Sequence, residues 1–244
     1  MNLFKKIGKS IAIAFSMYSK IPMPQFEWKE EDMRYSMCFF PLVGIVIGLL
    51  SWFWWLFCQH FGIGKMCFAF VGLAIILLVT GGIHMDGYMD TMDALHSYGS
   101  REKKLEILKD SHIGAFAVIM TVLYVLIAAG AYSEIKNYSV MASFCGAYFL
   151  SRIFSAIAVV SFPCAKKEGT LYMFADAAQE KIVKRSLYGE LALCAFWQIL
   201  MDPKAGIMQL ICVLAVFGYY YYKSKKEFGG ITGDLAGYFV TLCE

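Results

Sequence analysis

Three aspartates stand in the segment Gly81-Gly82-Ile83-His84-Met85-Asp86-Gly87-Tyr88-Met89-Asp90-Thr91-Met92-Asp93, directly after an apolar run over residues 66–83. On a helix advancing about 100° per residue, Asp90 falls roughly 40° and Asp93 roughly −20° from Asp86, so the three line one stripe. Each carboxylate costs about 2.5 to 3.5 kcal/mol at the centre of a bilayer, less near its surface, and the three repel one another. A divalent cation removes both costs. With oxygen donors and neither thiolate nor clustered imidazole, the stripe favours Mg²⁺ or Mn²⁺ over zinc, the ion completing its shell with phosphate and water. His84, two residues before Asp86, is the one histidine placed for acid/base or phosphate contact.

A second polar cluster, Lys109-Asp110-Ser111-His112-Ile113-Gly114, opens the next apolar run. Ser111 and Asp110 suit the N-terminal cap of that helix; the functional alternative makes Asp110 a fourth metal ligand beside Asp86, Asp90 and Asp93. Arg152 lies within an apolar span, where an unpaired guanidinium is implausible, so it is expected to face the bundle interior and meet an aspartate or a ligand phosphate. Lys166 and Lys167 follow the same span and suit diphosphate, although charges that only set topology look identical. The turn Gly229-Gly230-Ile231-Thr232-Gly233-Asp234 offers backbone amides that approach phosphate closely, with Thr232 and Asp234 for nucleotide or metal contact.

These groups need a scaffold, and the composition says which. The chain has 244 residues, 59% hydrophobic and 17% charged, with a mean hydropathy of +0.57, more apolar surface than a soluble domain of this size buries. The charges fall between apolar runs, the pattern of a helical bundle rather than a β-barrel. An all-α, polytopic transmembrane bundle is predicted, with runs near 36–58, 66–83, 113–132, 138–162, 187–201 and 207–222 and a weaker partial seventh at 235–243. The turn Asp202-Pro203-Lys204 makes the fifth and sixth a hairpin. Residues 7–18, behind Lys5 and Lys6, read as an interfacial or re-entrant helix rather than a cleaved signal. No repeat or linker divides residues 1–244, so one membrane domain is expected. The eight cysteines include no CxxC pair and read as small buried hydrophobes. A net charge of +3 gives no case for nucleic acid.

Lys and Arg number eighteen in the N-terminal segment, the loops 84–112 and 163–186 and the tail from 223, against Lys65, Lys136 and Lys204 on the other side. That asymmetry puts the N-terminus and the acidic loop in the cytoplasm. Nearly every candidate group then collects on one face, which favours an enzyme over the main alternative, a cation- or proton-coupled transporter that needs access from both.

The chain resembles the cobalamin synthase family of membrane enzymes, the adenosylcobinamide-GDP ribazoletransferases. The resemblance rests on Ile21-Pro22-Met23-Pro24, Phe40-Pro41-Leu42-Val43-Gly44, the block from Gly81 to Asp93, Leu105 to Ser111 with Gly114, Ser151-Arg152 and Gly229 to Asp234, in family order over nearly the whole chain. Ala94 departs from the glycine usual after the third aspartate, and the chain stops at Glu244 soon after the glycine turn, so an incomplete last span is expected. The resemblance implies a late step of vitamin B12 synthesis in a prokaryotic cell (inner) membrane. Adenosylcobinamide-GDP is joined to α-ribazole or its 5′-phosphate, and GMP is released. It further implies Mg²⁺ on Asp86, Asp90, Asp93 and Asp110, with Lys109 and Arg152 on the phosphates. His84 or a spare carboxylate takes the hydroxyl proton, and Lys166, Lys167, Ser111, Gly230, Thr232 and Asp234 contact substrate. Its partners are the lipid bilayer, the two substrates, and either a second copy or other corrinoid-pathway enzymes.

Overall fold

The computed structural model describes residues 3–244. Among these, the chain forms twelve α-helices: α1 (Leu3–Tyr18), α2 (Glu30–Met33), α3 (Phe40–Phe61), α4 (Lys65–Thr80), α5 (Ile83–His96), α6 (Arg101–Ile107), α7 (Ala115–Ser133), α8 (Tyr138–Val159), α9 (Thr170–Ala177), α10 (Glu180–Met201), α11 (Pro203–Lys223) and α12 (Gly233–Cys243). The only β-pairing among them is an isolated parallel bridge between Cys164 and Ile231. The protein is an all-α, multi-pass membrane bundle.

The expected run of spans needs correction in two places. Four helices are long and apolar enough to cross a bilayer, α3, α7, α8 and α11 with its π-helical extension to Phe228; a fifth span arises only if α4 and α5 count together. The run at 66–83 is not one straight helix. Gly81 and Gly82 take φ of 64° and 80°, left-handed values open to glycine, and the axis turns by 97° between α4 and α5. The apolar stretch 187–201 belongs to α10, which has 22 residues but begins with Glu180, Lys181, Lys184 and Arg185 and so starts in a polar phase. The 235–243 stretch is α12, whose 11 residues reach only about 16 Å, too short to cross.

Helix α8 is the axle of the bundle: every residue from Leu150 to Val159 is buried, and the helix packs on α3, α10 and α12. Asn137 caps it by accepting from the Val140 amide at 2.9 Å. Helices α10 and α11 form the expected hairpin, with Pro203 in the first turn of α11 and Asp202 accepting from the Lys204 and Ala205 amides. Outward side chains such as Leu78, Leu126, Ile127 and Leu193 are 62–73% exposed, as a lipid-facing surface requires. Helix α1 buries Ala12, Ile13, Ala14 and Phe15 and leaves Lys5 and Lys6 exposed, as an amphipathic helix does. All eight cysteines are free, although Cys67 and Cys212 are exposed rather than buried.

Candidate functional site

The bend at Gly81–Gly82 sends α5 against α12, and this contact builds the site. A Cβ on Gly87 would lie 2.6 Å from the Asp234 carbonyl oxygen, and one on Gly237 would lie 3.1 Å from that of His84. Glycine on both helices lets the backbones touch, bringing Asp234 beside the α5 stripe. The Asp90 carboxylate is within electrostatic reach of Asp86, Asp234 and Asp93. Asp86 and Asp234 share the wall of one cavity. Burial raises the Asp234 carboxyl above the ordinary carboxylate range, and the neighbouring Asp86 charge adds to the effect.

Two cavities meet at Asp234. The inner one, about 210 Å³, is walled by Met17, Tyr18, Phe40, His84, Asp86 and Val159 among others. The outer one, about 360 Å³, contains Lys109, Lys166, Glu168, Tyr172 and the turn Ile231–Gly233. Thr170, Leu171, Gly233 and Asp234 line both, so they are two arms of one cleft. A larger apolar cavity of about 490 Å³ lies elsewhere, among Trp52, Cys145, Cys194 and Trp197, with no charged side chain in its wall.

Each expected site residue has a definite place. Asp93 is on the predicted helix, but both its oxygens are engaged: Oδ2 accepts from the Gly114 amide at 2.6 Å and Oδ1 from Ala117 at 2.8 Å. It therefore caps α7, the role expected of Ser111, which is exposed. Asp110 does not join the α5 aspartates. It accepts from the His112 amide at 3.0 Å and contacts His112 Nδ1 at 2.6 Å. The His112 amide holds its carboxyl below the usual range. His84 is buried, lines the inner arm, and its Nε2 has no partner. Lys109 sits at the rim of the outer arm, 3.0 Å from Glu168. Lys166 lines that arm and donates to the Leu105 carbonyl at 3.2 Å; burial, with Lys109 nearby, lowers its pKa. Lys167 is exposed and outside the cleft wall.

The glycine turn does not present all its amides. Gly230 is buried and its N–H donates to the Ser224 carbonyl at 3.1 Å, so this amide is not turned to the cleft. Thr232 lines the outer arm and caps α12 by accepting from the Leu235 amide at 3.2 Å. The turn is held from beneath by Ile231, which exchanges hydrogen bonds of 2.9 Å with the Pro163 carbonyl and the Ala165 amide. Lys104, paired with Glu227 at 2.5 Å, ties α6 to the π-helical segment just before the turn.

Arg152 is fully buried, and its partner is neither an aspartate nor the cleft. Its Nη1 donates to Glu244 Oε1 at 2.5 Å and to the Tyr148 carbonyl at 2.9 Å. The pair joins α8 to the end of α12. Sequence reading missed this role of Glu244, and it missed Tyr18, Phe40 and Thr170 as cleft residues. Phe40 carried a signal, standing at the head of the Phe-Pro block; the others had none.

Among the described residues no three His, Cys, Asp or Glu side chains already stand arranged to hold a metal ion. The donor chemistry still fits a hard cation. Asp86 and Asp234 share one cavity wall, with Asp90 within electrostatic reach of both, and Mg²⁺ commonly takes one or two carboxylates and completes its shell from substrate phosphate and water. Such a site is finished by its substrate.

A polytopic helical membrane protein with an acidic centre between a basic and an aromatic arm is the class that fold and site define. Within it, the chain belongs to the Cobalamin-5-phosphate synthase family, matching that family over residues 10–244. It is 42% identical to an adenosylcobinamide-GDP ribazoletransferase of Lachnoclostridium phytofermentans over 237 residues, 96% of this chain and 90% of the relative. It is 32% identical to proteins of the same name from Clostridium perfringens, with 97% and 94% covered, and from Desulfitobacterium hafniense, with 97% and 93% covered. No solved structure matches. The transporter alternative gains no support from these relatives.

Proposed function

We propose that the protein is an adenosylcobinamide-GDP ribazoletransferase of a prokaryotic inner membrane, its cleft open to the cytoplasm. A ribose hydroxyl oxygen of α-ribazole, or of its 5′-phosphate, attacks the diphosphate phosphorus that bears cobinamide. The new P–O bond forms as the bond to the bridging oxygen breaks, and GMP leaves with that oxygen. The product is adenosylcobalamin or its 5′-phosphate. The observation that carries this reading is the position of Asp234 where the two arms join, with Asp86 in the inner wall and Asp90 within electrostatic reach of both, where two substrates must touch for one to displace a nucleotide from the other.

Asp86, Asp90 and Asp234 would hold Mg²⁺ or Mn²⁺, which when bound neutralises diphosphate charge. Lys166 and Lys109 attract the phosphates of the departing nucleotide. His84, with an unpartnered ring nitrogen in the inner arm, accepts the hydroxyl proton. Asp93 positions rather than ligates: it ties α5 to the loop that carries Lys109. Arg152, through Glu244, holds α12 and with it Asp234.

The test is turnover by the purified protein in lipid nanodiscs. GMP release that requires adenosylcobinamide-GDP, α-ribazole and Mg²⁺ together is expected. Nucleotide release without α-ribazole, or no corrinoid product in any metal, would overturn the reading.

A further inference from the structure

We infer that the two arms divide the substrates: the inner arm seats the apolar benzimidazole base of α-ribazole, and the outer arm seats the guanosine nucleotide that leaves. This rests on the transferase reading above.

Charge makes the first division. The inner arm has no lysine or arginine in its wall, and its charged groups are Asp86 and Asp234. Away from a cation held by those two carboxylates, a nucleotide phosphate finds no positive side chain there. The outer arm carries both lysines of the cleft, Lys109 paired with Glu168 at 3.0 Å and Lys166 half-buried with no carboxylate bonded to it, its charge only partly screened by solvent. Phosphates belong on that side.

Shape makes the second. Tyr18 closes α1 and Phe40 opens α3, and their rings lie 4.2 Å apart between centroids. His84 stands 6.3 Å from Tyr18 with ring planes within 19°, and 6.0 Å from Phe40. Met17 and Val159 complete an apolar wall. Aromatic faces of this kind favour a flat bicyclic ring, and stacking contributes beyond simple burial. A dimethylated benzimidazole, with almost no hydrogen-bonding groups of its own, suits the part of the wall formed by Met17, Tyr18, Phe40 and Val159, while Asp86, Ser155 and Asp234 lie at its polar edge. The arm, at about 210 Å³, suits one such ring system and not a corrin macrocycle.

The junction makes the third. A base seated against the Tyr18 and Phe40 side of the inner arm places its ribose toward Thr170, Gly233 and Asp234, residues common to both arms. There the attacking hydroxyl meets the diphosphate. The N-terminal helix α1 thereby acquires a part in acceptor recognition through its final residue, Tyr18.

The experiment separates KM for the two substrates in nanodisc-reconstituted protein and measures α-ribazole binding alone by equilibrium dialysis. Phe40→Leu and Tyr18→Leu retain apolar bulk and remove the flat face. Each is expected to raise KM for α-ribazole roughly tenfold and to weaken its direct binding equally, leaving KM for adenosylcobinamide-GDP within about twofold. Lys166→Gln is expected to do the reverse. Should a Leu variant fail to fold, the wild-type protein offered a riboside with an unmethylated or purine base gives the same readout, with weaker acceptor binding expected. Aromatic variants that raise KM for adenosylcobinamide-GDP and spare α-ribazole would overturn the assignment. So would wild-type protein that binds purine and benzimidazole ribosides alike. Dialysis needs no turnover, so loss of the transferase reading and loss of this one are distinguishable.

Discussion

Asp93 Oδ2 accepts a hydrogen bond of 2.6 Å from the amide of Gly114, twenty-one residues further along the chain. The bond satisfies an otherwise orphaned donor at the start of α7 and fixes both ends of the loop that bears Lys109. A Cβ on Gly114 would lie 2.6 Å from the same oxygen, so only glycine admits this approach. Asp93→Ala is expected to cost about 1 to 2 kcal/mol of stability, as lost helix caps do. Activity should fall while the Mg²⁺ concentration giving half-maximal rate stays within about threefold. A large shift in that concentration, by titration of initial rates, would return Asp93 to the metal shell.

Asp90→Asn and Asp234→Asn should behave in the opposite way. Each removes a charged oxygen donor from the junction, and the expected loss is at least about a hundredfold in turnover. Binding of Mn²⁺ to the protein, followed by electron paramagnetic resonance without substrate turnover, is expected to weaken in both. Unchanged Mn²⁺ binding in both variants would show that the cation sits elsewhere.

Gly87→Ala tests the helix contact. By intrinsic propensity alone, alanine in a helix is favoured over glycine by about 1 kcal/mol. Here the added methyl meets the Asp234 backbone, and overpacking of this kind costs about 1 to 3 kcal/mol. Thermal unfolding in detergent should therefore show a net loss of stability, together with reduced activity. A stabilised, fully active Gly87→Ala protein would mean that α5 and α12 do not press together at this point.

Magnesium and pH should be linked through Asp234. Its carboxyl is raised by burial, so without metal the folded state retains this proton to higher pH than the unfolded chain does. Its contribution to stability is full below the ordinary carboxylate range and is lost as pH rises through the raised value. A bound cation selects the ionised form. The stabilisation gained on adding Mg²⁺ should therefore grow as pH increases across that window, read as the difference in Tm with and without metal. A difference that shrinks with rising pH would remove Asp234 from the ion's ligands.

The fold was legible where the sequence carried long apolar runs or strong punctuation. Asp202-Pro203 marked a hairpin through local chemistry. The 97° turn between α4 and α5 was not legible, because periodicity describes a helix and not its angle to the next one. The same limit governed the site. Asp86, Asp90 and Asp93 were placed on one helix from spacing alone, yet spacing could not show that Asp93 is used by the α7 amides. Asp234 was visible as a residue of a glycine turn, but its approach to Asp86 depends on Gly87 and Gly237 meeting across the bundle. Arg152 announced its cost through hydropathy, while its partner Glu244 was decided only by how α12 docks.

The close crossing at Gly87 has a bearing on biosynthesis. The acidic residues it unites belong to segments made at different moments, with α6 to α11 emerging between them. On the proposed reading, a nascent chain that has delivered only the earlier acids would own two of the three carboxylates and no junction between its grooves. On that reading, catalytic competence would arrive with the docking of α12, and a chain that stalls or is clipped before that point would stay inert.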